Sequence, residues 1–138
     1  MRTSLDIVDI VRAHLADSVL MATVNKPNGA LYKFQRPQNS VKEDVVVNSL
    51  ANNMGAVGEG VLNVNIYVPN LIYPTVSVGD LSQPNLPRLT YLTTLAFAAL
   101  TDVYADGYNF TIQSDSLFAD DNNQHYSNIR VEFNSINI

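Results

Sequence analysis

Residues 60–69 read Gly60-Val61-Leu62-Asn63-Val64-Asn65-Ile66-Tyr67-Val68-Pro69, and their alternation decides what the chain builds. Leu62, Val64, Ile66 and Val68 fall on one face of an extended chain, and Val61, Asn63, Asn65 and Tyr67 fall on the other. A period of two with one face apolar and the other partly polar marks a strand buried on one side. Pro69 closes it, having no N–H to give a ladder. Such a sheet needs a helical cover, and the flanking sequence supplies two candidates.

Upstream, Thr3-Ser4-Leu5-Asp6 has the form of a capping box with Thr3 as N-cap. Ile7, Val8, Val11 and Leu15 then recur at helical spacing, which predicts a first helix from about Ser4 to Asp17. Val19–Val24 is short and apolar, and Ala30–Arg36 places Tyr32 and Phe34 on one face. Between them Asn28-Gly29 is a hairpin signal, so the two runs are expected to pair as antiparallel strands. Glu43–Leu50, with Val45-Val46-Val47, predicts a third strand, and Ala51–Glu59 a small-residue loop.

Downstream, Asn70–Pro87 contains Pro74, Pro84 and Pro87 and reads as a long irregular arm. Leu86-Pro87 starts a second helix, with proline at its first turn and Asn85 as cap. Leu89, Leu92, Leu95, Ala96, Ala99, Leu100 and Val103 carry that helix over Leu86–Tyr104. Tyr108–Gln113 alternates as a strand, Asp115–Asn123 reads as an acidic turn, and Gln124–Phe133 alternates again. The expected order is α-β-β-β-β-α-β-β. It describes one α+β domain over residues 1–138, a mostly antiparallel sheet with two helices on one face.

At 138 residues the chain has room for one domain with a substantial core. Only 15% of residues are charged, against about 25% in ordinary soluble domains. The 16 Asn outnumber the 8 Lys plus Arg. Neutral amides cost less to desolvate than charges when set against another protein, which points toward assembly. A net charge of −5 disfavours nonspecific attraction to DNA or anionic lipid. The absence of cysteine excludes disulfides, thiolate metal sites and a Cys nucleophile. Asp6 and Asp9 interrupt the N-terminal apolar pattern, against a signal peptide. The run Leu95–Leu100 falls far short of the roughly 20 residues of a membrane helix. The expectation is a soluble protein made in a cytoplasm.

Catalytic chemistry finds little support. His14 and His125 have no carboxylate at ligand spacing, and both read as ordinary histidines. Asp115, Asp120 and Asp121 lack the regular ligand spacing of a calcium loop. Gly55, Gly58 and Gly60 lead into a strand without a following Lys-Ser/Thr, so they form no phosphate loop. No catalytic residue, cofactor or metal site is therefore assigned. Between Arg88 and Arg130 there is no Lys or Arg, while Asp102, Asp106, Asp115, Asp120 and Asp121 fall there. That interval is either a solvated edge or a surface facing something it should not hold.

The opening helix, the hairpin at Asn28-Gly29, the strand Val61–Val68, the helix Leu86–Tyr104 and the closing pair Tyr108–Gln113 and His125–Phe133 occur together here. Together with the size and the acidic, cysteine-free composition, they resemble the tail-terminator and tail-completion proteins of long-tailed bacteriophages. That resemblance implies a non-enzymatic virion protein that closes the tail tube and joins it to the head. It implies a ring, commonly a hexamer, built in the host cytoplasm. Its partners would be the tail tube protein and the head-completion or neck protein, with no membrane. DNA would pass through the ring without sequence-specific binding. On that view Leu71, Ile72, Tyr73 and Val76 of the arm contact a neighbouring subunit or the tube. Asp115, Asp120 and Asp121 would line the bore, where they would not hold phosphates. The alternatives are another head–tail connector or baseplate component, a secretion-type tube subunit, a small adaptor module, or a minor hydrolase.

Overall fold

Thr3 starts the first helix as its pattern predicts. Its hydroxyl accepts from the Asp6 N–H at 3.1 Å, and the Asp6 carboxylate accepts from the Thr3 N–H at 2.7 Å. The helix, α1 (Ser4–Ala16), buries Ile7, Val8, Val11 and Leu15 as one stripe. This computed structural model describes residues 2–53, 57–72 and 80–136. After α1 come α2 (Val19–Ala22), β1 (Leu31–Lys33), β2 (Val45–Asn53) and β3 (Val57–Pro69). Then follow α3 (Leu86–Leu100), β4 (Val103–Ala105), β5 (Tyr108–Asp120) and β6 (Gln124–Ile136).

The six strands make one sheet in the order β1-β2-β3-β6-β5-β4. Every pairing is antiparallel except that of β1 with β2. The fold is therefore α+β with a mostly antiparallel sheet, and the stretch 60–69 lies within its central strand β3. Register places Leu62 opposite Val131 and Val64 opposite Ile129, so the apolar alternation of β3 continues on β6. On β5, Phe110 extends the layer beside Phe133. Over this face lie α1 and α3, the latter through Leu89, Leu92, Ala96 and Leu100, and all join one buried cluster. Burial of that cluster, at about 25 cal/mol per Å² of apolar area, is the main stabilising term.

Several local expectations give way. Val19–Val24 is not a strand. Ser18 caps a short helix there, its hydroxyl accepting from the Leu20 N–H at 3.3 Å, and Leu20 is the buried residue of that turn. Asn28-Gly29 makes no hairpin, because β1 runs parallel to β2. The Asn28 side chain instead accepts from the Glu43 N–H, and the Gly29 N–H donates to the Glu43 carbonyl. A Cβ on Gly29 would collide with the Asp44 carboxylate and the Glu43 backbone. Glycine serves close approach of two chains here, not a positive φ. The first returning strand shrinks to Leu31–Lys33, because Phe34 turns into the left-handed region at φ 66°.

The expected loop Ala51–Glu59 is strand at both described ends, with Asn53 paired to Glu59. The second helix stops at Leu100, four residues early, where Asp102 takes φ 50° and the chain turns into β4. A two-residue turn with Gly107 at φ 84° then leads from β4 into β5. Asp115–Asn123 is mostly strand. A bulge between Ile112 and Ser114 shifts the phase, so Phe110 and Ile112 face the helices before it and Asp115 and Leu117 after it. Alternation read along the chain stops at that bulge although the strand continues. The actual turn is Asp121–Asn123, closed by Asn123 at φ 54°.

Candidate interaction surfaces

The helices roof one face of the sheet, and among the described residues no helix covers the other. Register sets out the bare face in rows. Asn48, Asn63, Arg130 and Ser114 form one row, and Val46, Asn65, Asn128 and Ser116 the next. Each asparagine carries both donors and an acceptor, so the amides chain across strands. The Asn63 amide donates to Asn48 at 2.9 Å, and the Asn128 amide donates to Asn63 at 3.0 Å and to Asn65 at 2.6 Å. Asn63 and Asn65 are 8% and 9% exposed. The result is a face dominated by neutral amides that bond one another, with Arg130 as the charged member of these two rows.

The third row is aromatic. Tyr67 and Tyr126 stack with centroids 4.9 Å apart, and Phe118 lies 5.4 Å from Tyr126. Arg36 sits over the Tyr67 ring at 3.7 Å, an attraction of about 0.5–2 kcal/mol by the ring quadrupole. Burial pushes the Tyr67 hydroxyl pKa up. The Arg36 guanidinium also reaches Asp44 at 3.3 Å, Asp120 at 3.2 Å and the Gln124 side chain. Asp44 is almost fully buried and accepts as well from the Ala30 N–H and the Ser40 hydroxyl. One side chain from the 34–44 connection thus pins that connection to the corner where β5 ends and β6 begins.

A second pin lies nearby. Arg88 grips Glu43 with two bonds, Nε at 2.7 Å and a terminal nitrogen at 2.8 Å. Burial alone would raise the Glu43 pKa. The Arg88 hydrogen bonds, the Asn28 N–H and the Arg88 charge outweigh it and hold the carboxyl below its usual 4.5. A depressed folded pKa contributes stability that is complete above the unfolded value and is lost as pH falls through the folded one. Urea unfolding should therefore show the advantage of the native protein over Glu43→Gln at about pH 6, shrinking toward about pH 3. A difference that is constant over that range would count against this pair.

The residues singled out from sequence are scattered. Leu71 is half-buried, its N–H donating to the Gln83 carbonyl at 2.9 Å, while Ile72 is exposed. Tyr73 and Val76 lie outside the described residues. Asp120 is tied to Arg36, Asp121 is exposed in the β5–β6 turn, and Asp115 projects from β5 toward α3. Asp120 ends β5 and Asp121 begins the turn beside it; Asp115 stands apart. His14 Nε2 lies 2.7 Å from the Ala99 carbonyl, which can only accept, so that nitrogen holds the proton. His125 Nδ1 meets the Asn70 side chain at 2.7 Å. Among the described residues no group of three His, Asp or Glu side chains could hold a metal. No described helix is long and apolar enough to cross a membrane.

Sequence reading missed the Arg36 hub, since nothing in spacing links Arg36 to Gln124, 88 residues away. It also missed the unpaired outer side of β5, because the bulge hid the second half of that strand.

No family model and no curated protein matches this sequence. Among solved structures, one that bears only a sequence identifier as its name is similar, with a TM-score of 0.52 and 15% identity. The match covers 94% of this chain and 96% of that one. At that identity the likeness concerns the fold alone.

Proposed function

We propose that this protein is a non-catalytic structural component of a long-tailed bacteriophage virion. It caps the tail tube and joins it to the head or neck as a ring, six copies in the commonest arrangement, through which DNA passes. The observation that carries this reading is the one-sided roofing of the sheet. The bare face is a lattice of asparagines that bond one another, with little charge to desolvate when another subunit covers it. A closed ring needs two different patches on each subunit that meet head to tail. The bare face and the exposed Ile72, three residues beyond the end of β3, are the pair assigned here. Asp115 and Asp121, within an interval from Arg88 to Arg130 that holds no Lys or Arg, would present the bore with charges that do not hold passing phosphates.

Replacing both Leu71 and Ile72 by Asp tests the arm contact. Light scattering should show a smaller assembly for this variant than for the native protein at equal concentration. An unchanged assembly would remove Leu71 and Ile72 from the interface. The bore assignment is best probed with Asp121→Lys, because Asp120→Lys would also break the Arg36 hub.

A further inference from the structure

β5 leaves much of its length without an outer neighbour. β4 pairs with Tyr108–Phe110 alone, and from Thr111 to Asp120 no described strand lies on that side. The register tells which backbone groups are free, because residues in an antiparallel ladder alternate between facing their partner and facing away. The Asn70 N–H bonds to the Asn123 carbonyl, and the Ile136 N–H bonds to the Gly107 carbonyl. Odd-numbered residues of this end of the sheet's β6 line therefore face β3, and even-numbered ones face β5. Opposite the even ones stand Ser114, Ser116, Phe118 and Asp120. Asp115, Leu117 and Ala119 consequently turn their N–H and C=O groups outward.

Asp115 and Leu117 also project toward α3, where a groove of 320 Å³ runs between the strand and the helix. Leu86, Leu89 and Phe97 give it an apolar wall, and Leu117 is 48% exposed at its lip. An open strand edge beside a helix, with a pocket between them, is the geometry by which sheets accept an extended peptide.

We propose that the β5 rim receives an extended segment of a different protein, paired as a seventh strand. Its alternate side chains enter the groove, apolar ones beside Leu117 and a Lys or Arg on the same face beside Asp115. The charge argues for the cation: Asp115 is the one charged residue among those lining the groove. The chain's own other rim begins with β1, only three residues long and with its Lys33 held by Asp9 at 2.7 Å, and continues as Asn48–Asn53 of β2, which carries no Lys or Arg and is bent by a bulge between Ser49 and Ala51. A second copy therefore matches this rim poorly in charge and in shape. The inference goes beyond the ring reading and does not use the bare face.

The probe is a fluorescein-labelled, end-blocked peptide of sequence Val-Thr-Val-Thr-Lys-Thr, whose Val and Lys side chains share one face, with a control in which Glu replaces Lys. Anisotropy should give saturable binding of the Lys peptide, and the Glu peptide should bind at least about tenfold more weakly. Hydrogen–deuterium exchange should slow over residues 113–119 only when the peptide is present. Ala119→Pro removes an outward N–H at an edge position that tolerates proline, and should weaken binding about fivefold with an unchanged unfolding midpoint. Asp115→Lys should invert the preference between the two peptides, a readout that stands even if the proline variant is destabilised. Absence of saturation, equal binding of both peptides, or indifference to both substitutions overturns the proposal. So does slow exchange at this rim without peptide, which would mean that a second copy fills it. Sedimentation of the same samples reports the ring separately, so failure of one reading is not failure of the other.

Discussion

Arg36→Ala should lower the unfolding free energy by about 3 kcal/mol, the lower end of what removing one partner of a buried ion pair costs. Asp44 has only 1% of its side chain exposed and would be left charged without its cation. The Ala30 N–H and the Ser40 hydroxyl still serve it, which keeps the loss at the lower end. Losing the ring contact with Tyr67 and the bonds to Asp120 and Gln124 acts in the same direction. Urea unfolding measures the loss. The double variant Arg36→Met with Asp44→Asn should recover much of it, because neither a buried charge nor an empty volume remains. If the single variant unfolds like the native protein, the hub is not what holds the 34–44 connection.

Phe133→Ala should cost about 3–5 kcal/mol, the usual range for deleting a buried aromatic ring. Phe133 is 1% exposed and lies between Tyr108 at 5.3 Å and Phe110 at 5.8 Å. Its removal opens a void between the sheet and the helices that rigid neighbours cannot fill. Thermal unfolding with matched urea data checks this, and Phe133→Leu should lose less, since most of the volume stays. Equal losses for the two would mean that the aromatic stack, not the volume, is what matters.

The two effects differ in how far the sequence announced them. Phe133 stands in plain alternation with Ile129 and Val131, so its burial and the face it occupies were legible. The same holds for β3 and for the stripes of α1 and α3. What escaped reading has three physical causes. Bulges between Ser49 and Ala51 and between Ile112 and Ser114 shift the period of two, and a strand then looks as if it ends. Tertiary hydrogen bonds overrode local turn chemistry at Asn28-Gly29, where Glu43 takes the bonds a hairpin would have made. Contacts between distant residues, such as Arg36 with Gln124, leave no mark in spacing at all. The asparagine lattice lay between these cases. The count of 16 Asn was visible, but only the register shows that Asn48, Asn63, Asn65 and Asn128 sit within reach of one another on the uncovered face.

The proposed ring requires the uncovered face of the sheet to meet other copies of this chain in a closing, head-to-tail arrangement. Sedimentation velocity over a concentration series, from about 10 to about 500 µM, addresses that claim most directly, since obligate contacts respond to mass action. The account predicts a single larger species of fixed copy number that grows at the expense of monomer and then stops. A monomer that persists throughout, or open-ended growth without a limiting size, would contradict it.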